Sequence, residues 1–369
     1  MGIDEFYGKL RKILPYTSQK DNHFRIRLGT VLRQYKEMVS KLDLPRNPLK
    51  TEDIEKISRI CDKLSDIVKS SMQGMPSRAY SQLHNLLSDK EGDPLINIRK
   101  TILTYDENEY FYRIRLMDSI NEATRKDLFH IPLDMRGMIK TQRFSIPGYP
   151  CLYLGESIYG CWEEMGRPQM FRCAVSRFRN DQSVNFVDMT IPTKEFLYNP
   201  EYLVLLPLVI ACSIRVSDDG ATYKPEYIVP QLLMEWILKN RTYTDIGGIK
   251  KQIHGVAFSS THLNKDFEFP ENCFINYAIP VFSVDYRNRF CRKLCELFSL
   301  TLPTTNDIEK LKGGYQSAWA YPAKSEQEKI EQNYKSSDFG NLEARLGYET
   351  KFPLGKLDCK GNENLVDNE

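Results

Sequence analysis

The stretch CLYLGESIYGCWEEM, residues 151–165, changes its periodicity in the middle and decides the fold. Its first part, residues 151–155, is short, apolar and aromatic, which is typical of a strand. Its second part, residues 157–165, repeats apolar side chains at spacings of three and four, at Ile158, Cys161, Trp162 and Met165. Such spacing is typical of the buried face of a helix. The stretch therefore predicts a strand that leads directly into a helix.

Strands and helices follow one another irregularly on both sides of this stretch. Further strands rich in β-branched and aromatic residues are predicted at 111–116, 171–178, 185–189, 255–259 and 273–284. Helices are predicted at 202–214 and 226–238. Because the two kinds of element mix without a regular βαβ order, the sequence predicts an α+β fold rather than a doubly wound sheet.

The two ends of the chain differ in composition from the middle. Residues 1–105 carry apolar side chains at helical spacing, from Leu28 to Leu42 and from Ile54 to Val68, and predict a small all-helical domain. This region either packs on the rest of the chain or binds a partner or senses a trigger. Residues 301–369 are polar and lack periodicity, so we expect a partly disordered or loosely attached extension. The predicted central domain spans residues 106–300.

Composition excludes several classes of protein. The 369 residues carry a formal net charge of +2, which gives no general attraction to nucleic acid or to an anionic membrane. No apolar run is long enough to cross a bilayer. The nine cysteines are an odd number in a long chain and mostly lie in apolar segments. We interpret them as reduced thiols of a cytoplasmic protein, and no cysteine or histidine spacing predicts a metal site.

Five pieces of the chain together carry a resemblance to a known family. They are FYRIR (111–115), residues 129–165, EYIVPQLLMEWILKN (226–240), HGVAFSS (254–260) and NCFINYAIP (272–280). In order and spacing, from about 108 to 285, they resemble the RES family, named for an arginine, a glutamate and a serine. The resemblance implies a mixed-sheet domain like that of ADP-ribosyltransferases. It also implies chemistry on NAD, because the characterised members are mostly bacterial toxins that degrade NAD or transfer ADP-ribose.

The resemblance assigns three catalytic residues. Arg113 follows an aromatic residue in the first strand, and Arg115, two residues on, is a possible stand-in on the same strand face. Glu164 lies on the helix, eleven residues after the tyrosine of the Leu-Tyr-Leu strand. Ser260 ends a later strand, with Ser259 as the alternative register.

Two further residues are expected to bind NAD beside Arg113 and Ser260. The resemblance assigns Arg143 to the diphosphate, for which the planar guanidinium is suited, with Arg136 as a weaker candidate. It assigns Tyr153 to the nicotinamide ring or a ribose hydroxyl. Many family members have Gly-Arg-Phe/Trp-Asn around the arginine, whereas this chain has Gln142-Arg143-Phe144-Ser145, so a polar contact of the missing asparagine is in doubt.

The chemistry that the resemblance implies needs a carboxylate. Cleavage of the nicotinamide–ribose bond gives the sugar positive character, which Glu164 would stabilise. Gly160, one turn earlier, would let a ligand approach, and Glu163 is the expected surface residue of the pair. Taken alone, Glu164, Arg113 and Arg143 would each be interpreted as a solvated surface group, and only the alignment with the family selects them.

Three functions remain open on this reading. The first is an NAD glycohydrolase or phosphorylase, with water or phosphate as the acceptor. The second is a protein ADP-ribosyltransferase, and the third is a non-catalytic NAD-binding or interaction module. The presence of Glu164 favours an enzyme, since charge stabilisation is needed only in the transition state. A neighbouring antitoxin or regulatory protein is the expected partner, and nucleic acid and membrane are not.

Overall fold

The computed structural model describes most of the chain. The described residues are 1–16, 24–44, 48–88, 94–118, 122–218, 220–245, 247–262, 271–305, 323, 325–348 and 350–365. Eleven helices lie within these ranges: α1 Ile3–Ile13, α2 Phe24–Ser40, α3 Thr51–Met72, α4 Pro76–Leu87, α5 Arg125–Leu128, α6 Ile158–Glu164, α7 Pro200–Cys212, α8 Ile228–Lys239, α9 Arg292–Leu297, α10 Glu326–Ser336 and α11 Asp338–Leu346.

Twelve strands accompany the helices in the described ranges: β1 Ile102–Tyr105, β2 Tyr110–Leu116, β3 Cys151–Gly155, β4 Cys173–Asn180, β5 Val184–Met189, β6 Thr242–Thr244, β7 Lys250–Gln252, β8 Gly255–Ser259, β9 Ile275–Pro280, β10 Phe298–Leu300, β11 Gly355–Leu357 and β12 Glu363–Leu365. The α+β prediction is confirmed, with a helical N-terminal region and both parallel and antiparallel strand pairs. None of the helices in these ranges is long and apolar enough to cross a membrane.

The chain folds into two compact units, each made of several segments. The first, here called the helical unit, comprises Met1–Leu103, Thr141–Pro147 and Asn185–Thr261. The second, here called the sheet unit, comprises Thr104–Lys140, Gly148–Val184 and His262–Glu369. The helical unit has segments on both sides of the predicted boundary at 105, and the sheet unit continues past the one at 300. The predicted domain division stays a prediction.

Helix α7 explains why the N-terminal helices belong to the same unit as residues 185–261. This helix is apolar on all sides and its residues from Leu205 to Cys212 are all buried, so it needs cover around its whole circumference. Helices α2 and α3 of the N-terminal region supply that cover, and the Tyr35 hydroxyl donates to the carbonyl of Leu203 at 2.6 Å. A buried ion pair between Arg27 and Glu226 ties the N-terminal helices to the segment before α8. The amphipathic faces of the first hundred residues are thus matched to a helix two hundred residues later.

The same unit contains a parallel strand pair. Strand β5 runs beside β8, with Phe186 opposite Gly255 and Met189 opposite Phe258. Every residue of β5 is buried, in keeping with the continuous apolar character of parallel strands. The pair ends at the segment Ser259–Thr261, which holds the predicted serine.

The sheet unit is built on antiparallel strands in the order β9-β3-β2-β4-β10-β11-β12. Its longest pairing joins β2 to β4, from Tyr110 opposite Arg179 to Leu116 opposite Cys173. Helix α6 follows β3 directly and packs on the sheet through Ile158, which shares a buried cluster with Ile114 and Val175. The predicted strand and helix of residues 151–165 are confirmed, and they form the centre of this unit.

The polar C-terminal segment is an integral part of the sheet unit, which corrects the expectation of a loosely attached extension. Strands β10, β11 and β12 extend the sheet, and Leu342 and Leu346 of α11 lie in the cluster with Ile114. These three strands could not be predicted from the sequence, because three-residue strands are too short to show a period. Residues 306–322, on which part of that expectation fell, lie outside the described residues.

A buried carboxylate joins this C-terminal segment to α6. Glu343 of α11 accepts hydrogen bonds from the Ile158 amide and the Tyr334 hydroxyl, each at 2.6 Å. Burial raises the pKa of Glu343 to about 7, although the two hydrogen bonds act in the opposite direction, and nearby Glu156 raises the pKa further. The group therefore titrates near neutral pH.

Replacing Glu343 by glutamine should stabilise the protein above neutral pH. Between the ordinary glutamate pKa of 4.5 and about 7, the unfolded chain loses this proton while the folded chain keeps it, so stability falls as pH rises. Glutamine stays neutral and its carbonyl still accepts both bonds. We expect Glu343→Gln to add about 2 kcal/mol to the free energy of unfolding at alkaline pH and little below the ordinary pKa. Denaturant unfolding at both pH values measures this.

The matched control is Glu331→Gln on the exposed face of α10. It makes the same chemical change without burial and should leave the difference between the two pH values as in the wild type. An equal gain at both pH values for Glu343→Gln would contradict the assignment.

Candidate functional site

Four elements of the sheet unit meet around Gly155, the last residue of β3. Gly155 lies opposite Tyr112 of β2 on one side and opposite Asn276 of β9 on the other. A side-chain carbon at Gly155 would lie 2.5 Å from the Sγ atom of Cys161 in α6 and 3.2 Å from Asn276 Oδ1. Real carbon atoms do not approach so closely, so only glycine allows α6 to sit at this distance from the sheet.

Arg113 lies where β2 and β3 stop pairing. Their registered backbone pairing is confined to Tyr112 opposite Gly155. Beyond it, the Tyr153 carbonyl accepts a hydrogen bond from Arg113 Nη1 at 2.8 Å instead of from a backbone amide. The guanidinium thus takes the place of a strand partner and is fixed between the two strands.

Within the described residues, no acidic side chain forms an ion pair with Arg113, whose side chain is half-buried. Burial lowers the pKa of Arg113 to about 10, and Arg115 lowers the pKa further. The Nε atom is buried and has no hydrogen-bond partner among the described residues. Buried donors are almost always satisfied, so this exception marks Arg113 as a candidate for anion binding.

Glu164 is held at the C-terminal end of α6. The helix begins with the Ser157 side chain, which accepts from the Gly160 amide at 2.8 Å and donates to the Cys273 carbonyl at 2.6 Å. Glu164 is half-buried, and its Oε1 atom accepts from Asn276 Nδ2 at 3.3 Å. The carboxylate therefore faces the sheet rather than open solvent.

Two expectations about this helix are wrong. Glu163, expected at the surface, is 3% exposed; it accepts from the Tyr159 hydroxyl and from Arg167 Nε at 2.9 Å. A tyrosine one turn before and an arginine one turn after thus supply partners that allow burial. Gly160, expected to admit a ligand, admits the chain itself, since a side-chain carbon there would lie 2.2 Å from the Cys273 carbonyl oxygen.

Arg113 and Glu164 both act on the thiol of Cys161. Burial raises the pKa of this thiol to about 12; Arg113 opposes the rise, and Glu343 and Glu164 add to it. The thiol donates to the Tyr112 carbonyl at 3.4 Å. With a raised pKa it stays protonated and packs as a small apolar group. The sheet unit thus brings together three of the predicted residues, Arg113, Tyr153 and Glu164.

The other two predicted residues belong to the helical unit. Arg143 is 8% exposed; its Nη2 donates to Thr261 Oγ1, and the guanidinium lies 5.7 Å from the centre of the Phe258 ring. Its Nε and Nη1 atoms are buried without hydrogen-bond partners. Ser260 is fully buried next to Thr261 in the chain. Ser259, the alternative register, accepts from the Ile191 amide at 2.9 Å and thereby closes the end of the parallel pair.

Neighbouring polar residues have structural partners. Arg136 Nε donates to the Gly148 carbonyl at 2.6 Å, and Arg115 Nη1 donates to the Asp127 carbonyl at 2.6 Å. His254 Nδ1 accepts from the Asn185 amide at 3.0 Å. Across the described residues, no group of three or more His, Cys, Asp or Glu side chains could hold a metal ion.

The sequence reasoning missed two residues beside the site. Asn276 contacts Glu164 from β9. Glu156 follows Gly155 and accepts from the Tyr277 hydroxyl, which lies 2.6 Å from the Tyr105 hydroxyl. Burial raises the pKa of Glu156. Asn276 could have been found from its own pattern, since it is a polar residue inside an apolar strand, FINYAIP.

The chain is similar to a protein of Bacillus subtilis (strain 168) named "Putative toxin YopC". The two sequences are 28% identical over 350 residues, which cover 86% of this chain and 74% of the relative. No family model matches the chain, and no solved structure matches it. The alignment extends over far more of the chain than any one of the five sequence pieces.

Removing the charge of Arg113 should cost little stability. An uncompensated buried cation is unfavourable, and this roughly offsets the loss of the bond to Tyr153, so we expect Arg113→Met to change the free energy of unfolding by less than about 1 kcal/mol. Denaturant unfolding measures it.

Arg125→Met is the control, since Arg125 is more deeply buried, at 3% exposed, and its guanidinium is fully hydrogen-bonded. It donates to the carbonyls of Leu300 and Pro353 and pairs with Glu363. We expect that variant to lose about 3 kcal/mol or more. Equal losses for the two variants would mean that Arg113 is a structural arginine.

Proposed function

We propose that this protein is a toxin that consumes NAD by cleaving its nicotinamide–ribose bond. The similarity to a protein named as a toxin supports the general class. The resemblance to the RES family supports the reaction. The single observation that supports the site best is Arg113, a half-buried cation that forms no ion pair within the described residues and whose buried Nε atom has no hydrogen-bond partner there.

The proposed reaction breaks the bond between C1′ of the ribose and N1 of nicotinamide. The bonding electron pair leaves with the nitrogen, so the pyridinium of NAD becomes neutral nicotinamide. The sugar carbon then gains a bond to an oxygen of water, which releases a proton and yields ADP-ribose. With phosphate as the acceptor, the product is ADP-ribose 1″-phosphate instead. Neither version needs an oxidant, a reductant or a metal.

Glu164 would act on the ribose. As the bond breaks, positive charge develops on C1′ and the ring oxygen, and a carboxylate close to it lowers the energy of that state. A half-buried carboxylate does this better than an exposed one, because water screens it less. Arg113, fixed between β2 and β3, would bind an anionic part of NAD and hold the ribose against α6.

The resemblance to the RES family assigns Arg143 to the diphosphate and Ser260 to the ribose or the carboxamide of NAD. Arg143 keeps two buried N–H donors for bidentate, charge-assisted bonds, and the neighbouring Phe258 ring helps to hold the cation. Ser260 is the proposed third member of the catalytic set. Glu156 has no role in the proposed reaction, because its carboxylate already accepts a hydrogen bond from the Tyr277 hydroxyl.

An enzyme of this kind would have to be controlled in the cell that makes it. We therefore propose a neighbouring antitoxin or regulatory protein as the partner. The N-terminal helices could also restrain the site, but they share a core with α7, so their deletion would unfold the helical unit and test nothing. Point substitutions are the appropriate tool.

The decisive measurement is the release of nicotinamide from NAD by the purified protein, with and without phosphate. We expect release by the wild type, and a loss of about 100-fold or more in Glu164→Gln, because the transition state loses its stabilising charge. Dependence on phosphate would identify a phosphorylase, and release only with an added protein would identify a protein ADP-ribosyltransferase.

Glu163→Gln is the matched control, because it makes the same change one residue away at a carboxylate that holds Tyr159 and Arg167. It should lower stability but keep most of the activity. If it abolished release while Glu164→Gln did not, the register of the glutamate would be wrong. If the wild type neither released nicotinamide nor gained thermal stability from NAD, the NAD assignment would fall.

The proposed role of Arg143 predicts a change in KM. Lysine keeps the charge but not the planar fork, so Arg143→Lys should raise KM for NAD about tenfold with a smaller change in kcat. Steady-state kinetics measures both constants. Arg179→Lys, whose arginine pairs with Asp181, is the control and should leave KM unchanged.

A further inference from the structure

We infer that Asn276 is the positioning residue for Glu164: its carboxamide holds one carboxylate oxygen so that the other faces the ribose. The inference rests on the proposed function, since it assigns a role to a residue beside the proposed catalytic carboxylate. Asn276 is not one of the three residue types, arginine, glutamate and serine, that give the RES family its name.

The position of Asn276 is fixed from three sides. It lies on β9 directly opposite Gly155, and it is 5% exposed. Its Oδ1 atom fills the space that the missing side chain of Gly155 leaves, 3.2 Å from where a carbon would stand. Its Nδ2 atom then points to Glu164 Oε1 at 3.3 Å. The Asn276 side chain is therefore fixed by the strand, and the Glu164 carboxylate is oriented by its bond to that side chain.

The hydrogen bond from Asn276 gives the two carboxylate oxygens of Glu164 different surroundings. Within the described residues, Asn276 is the hydrogen-bond partner of Oε1, and Oε2 has none. A bond of 3.3 Å is long, as catalytic hydrogen bonds often are before substrate binds. A donor on one oxygen favours the ionised carboxylate and fixes its rotation, while the unbonded oxygen keeps its full charge for the sugar.

An amide is the suitable group at this position because it donates without carrying charge. Arg113 from β2 and Glu343 from α11 act on the Cys161 thiol, which lies three residues before Glu164 on the same helix. Next to Glu164, Glu163 is already paired with Tyr159 and Arg167. A cation in place of Asn276 would neutralise Glu164, and a second carboxylate would compete with it for a proton. Asparagine does neither.

The test compares Asn276→Asp and Asn276→Ala with the wild type, all as the full chain. The first measurement is the pH profile of nicotinamide release. Asp has the same shape as Asn but adds a like charge, so we expect the acid limb of the profile to move up by about one pH unit. Ala removes the donor, so we expect kcat to fall about 10- to 100-fold with little change in KM.

The second measurement does not need activity. Isotope-labelled glutamate, with the Glu164 carboxyl resonance assigned by its loss in Glu164→Gln, gives the pH at which this group titrates by NMR. We expect that pH to rise in both Asn276 variants. The control is Asn180→Asp, another buried asparagine of the sheet unit, whose Nδ2 atom donates to the carbonyls of Asp106 and Gln182. It should lower the melting temperature without moving the titration of Glu164.

The outcomes separate this inference from the proposed function. If the wild type releases nicotinamide but the Asn276 variants keep its profile and its Glu164 titration, Asn276 is a structural residue and the inference is wrong. If no protein releases nicotinamide, the proposed function fails, and the NMR titration alone decides whether Asn276 controls the carboxylate. A shift as large in Asn180→Asp as in Asn276→Asp would also overturn it.

Discussion

The absence of a side chain at Gly155 sets the geometry of the sheet unit. Cys161 and Asn276 both lie in the space where a side-chain carbon would stand, from α6 and β9 respectively. A side-chain carbon there would meet the Cys161 thiol, so that thiol or the helix that carries it would have to shift. The same thiol donates to the Tyr112 carbonyl, so the shift would also disturb the contact with β2. The packing around Gly155 thus sets the local geometry beside Glu164.

The two arginines of the candidate sites show a different kind of constraint. Arg113 and Arg143 each bury N–H groups that no described residue uses, whereas Arg125 uses its guanidinium to bind β10, β12 and the Pro353 carbonyl just before β11. The first arrangement costs stability and the second provides it. Buried N–H groups without a partner single out Arg113 and Arg143 as candidates only in combination with a second observation, that neither arginine forms an ion pair among the described residues.

Sequence reasoning succeeded where an element is long enough to show its period, and failed where partners come from elsewhere. Strand β3, helix α6, and helices α7 and α8 lie close to their predicted positions. The burial of Glu163 was not predicted, because the partners Tyr159 and Arg167 that permit it cannot be recognised without the helix ends. Strands β10 to β12 were missed because three residues show no alternation. Asn276 stands out as a polar residue in an apolar strand, but its contact with Glu164 could not be predicted, because Gly155 lies opposite it only in the folded sheet.

Each unit is built from chain segments that lie far apart in the sequence, and this determines when it can finish folding during synthesis. The helical unit cannot close until α7 and α8 have been made, long after the N-terminal helices that cover them. The sheet unit needs β11 and β12, and α11 is required to cap α6 through Glu343. A growing chain on the ribosome therefore holds Arg113 and Glu164 in an unfinished sheet until residues beyond 355 have been synthesised. Synthesis itself thus delays the assembly of the proposed site until the C-terminal strands have been made.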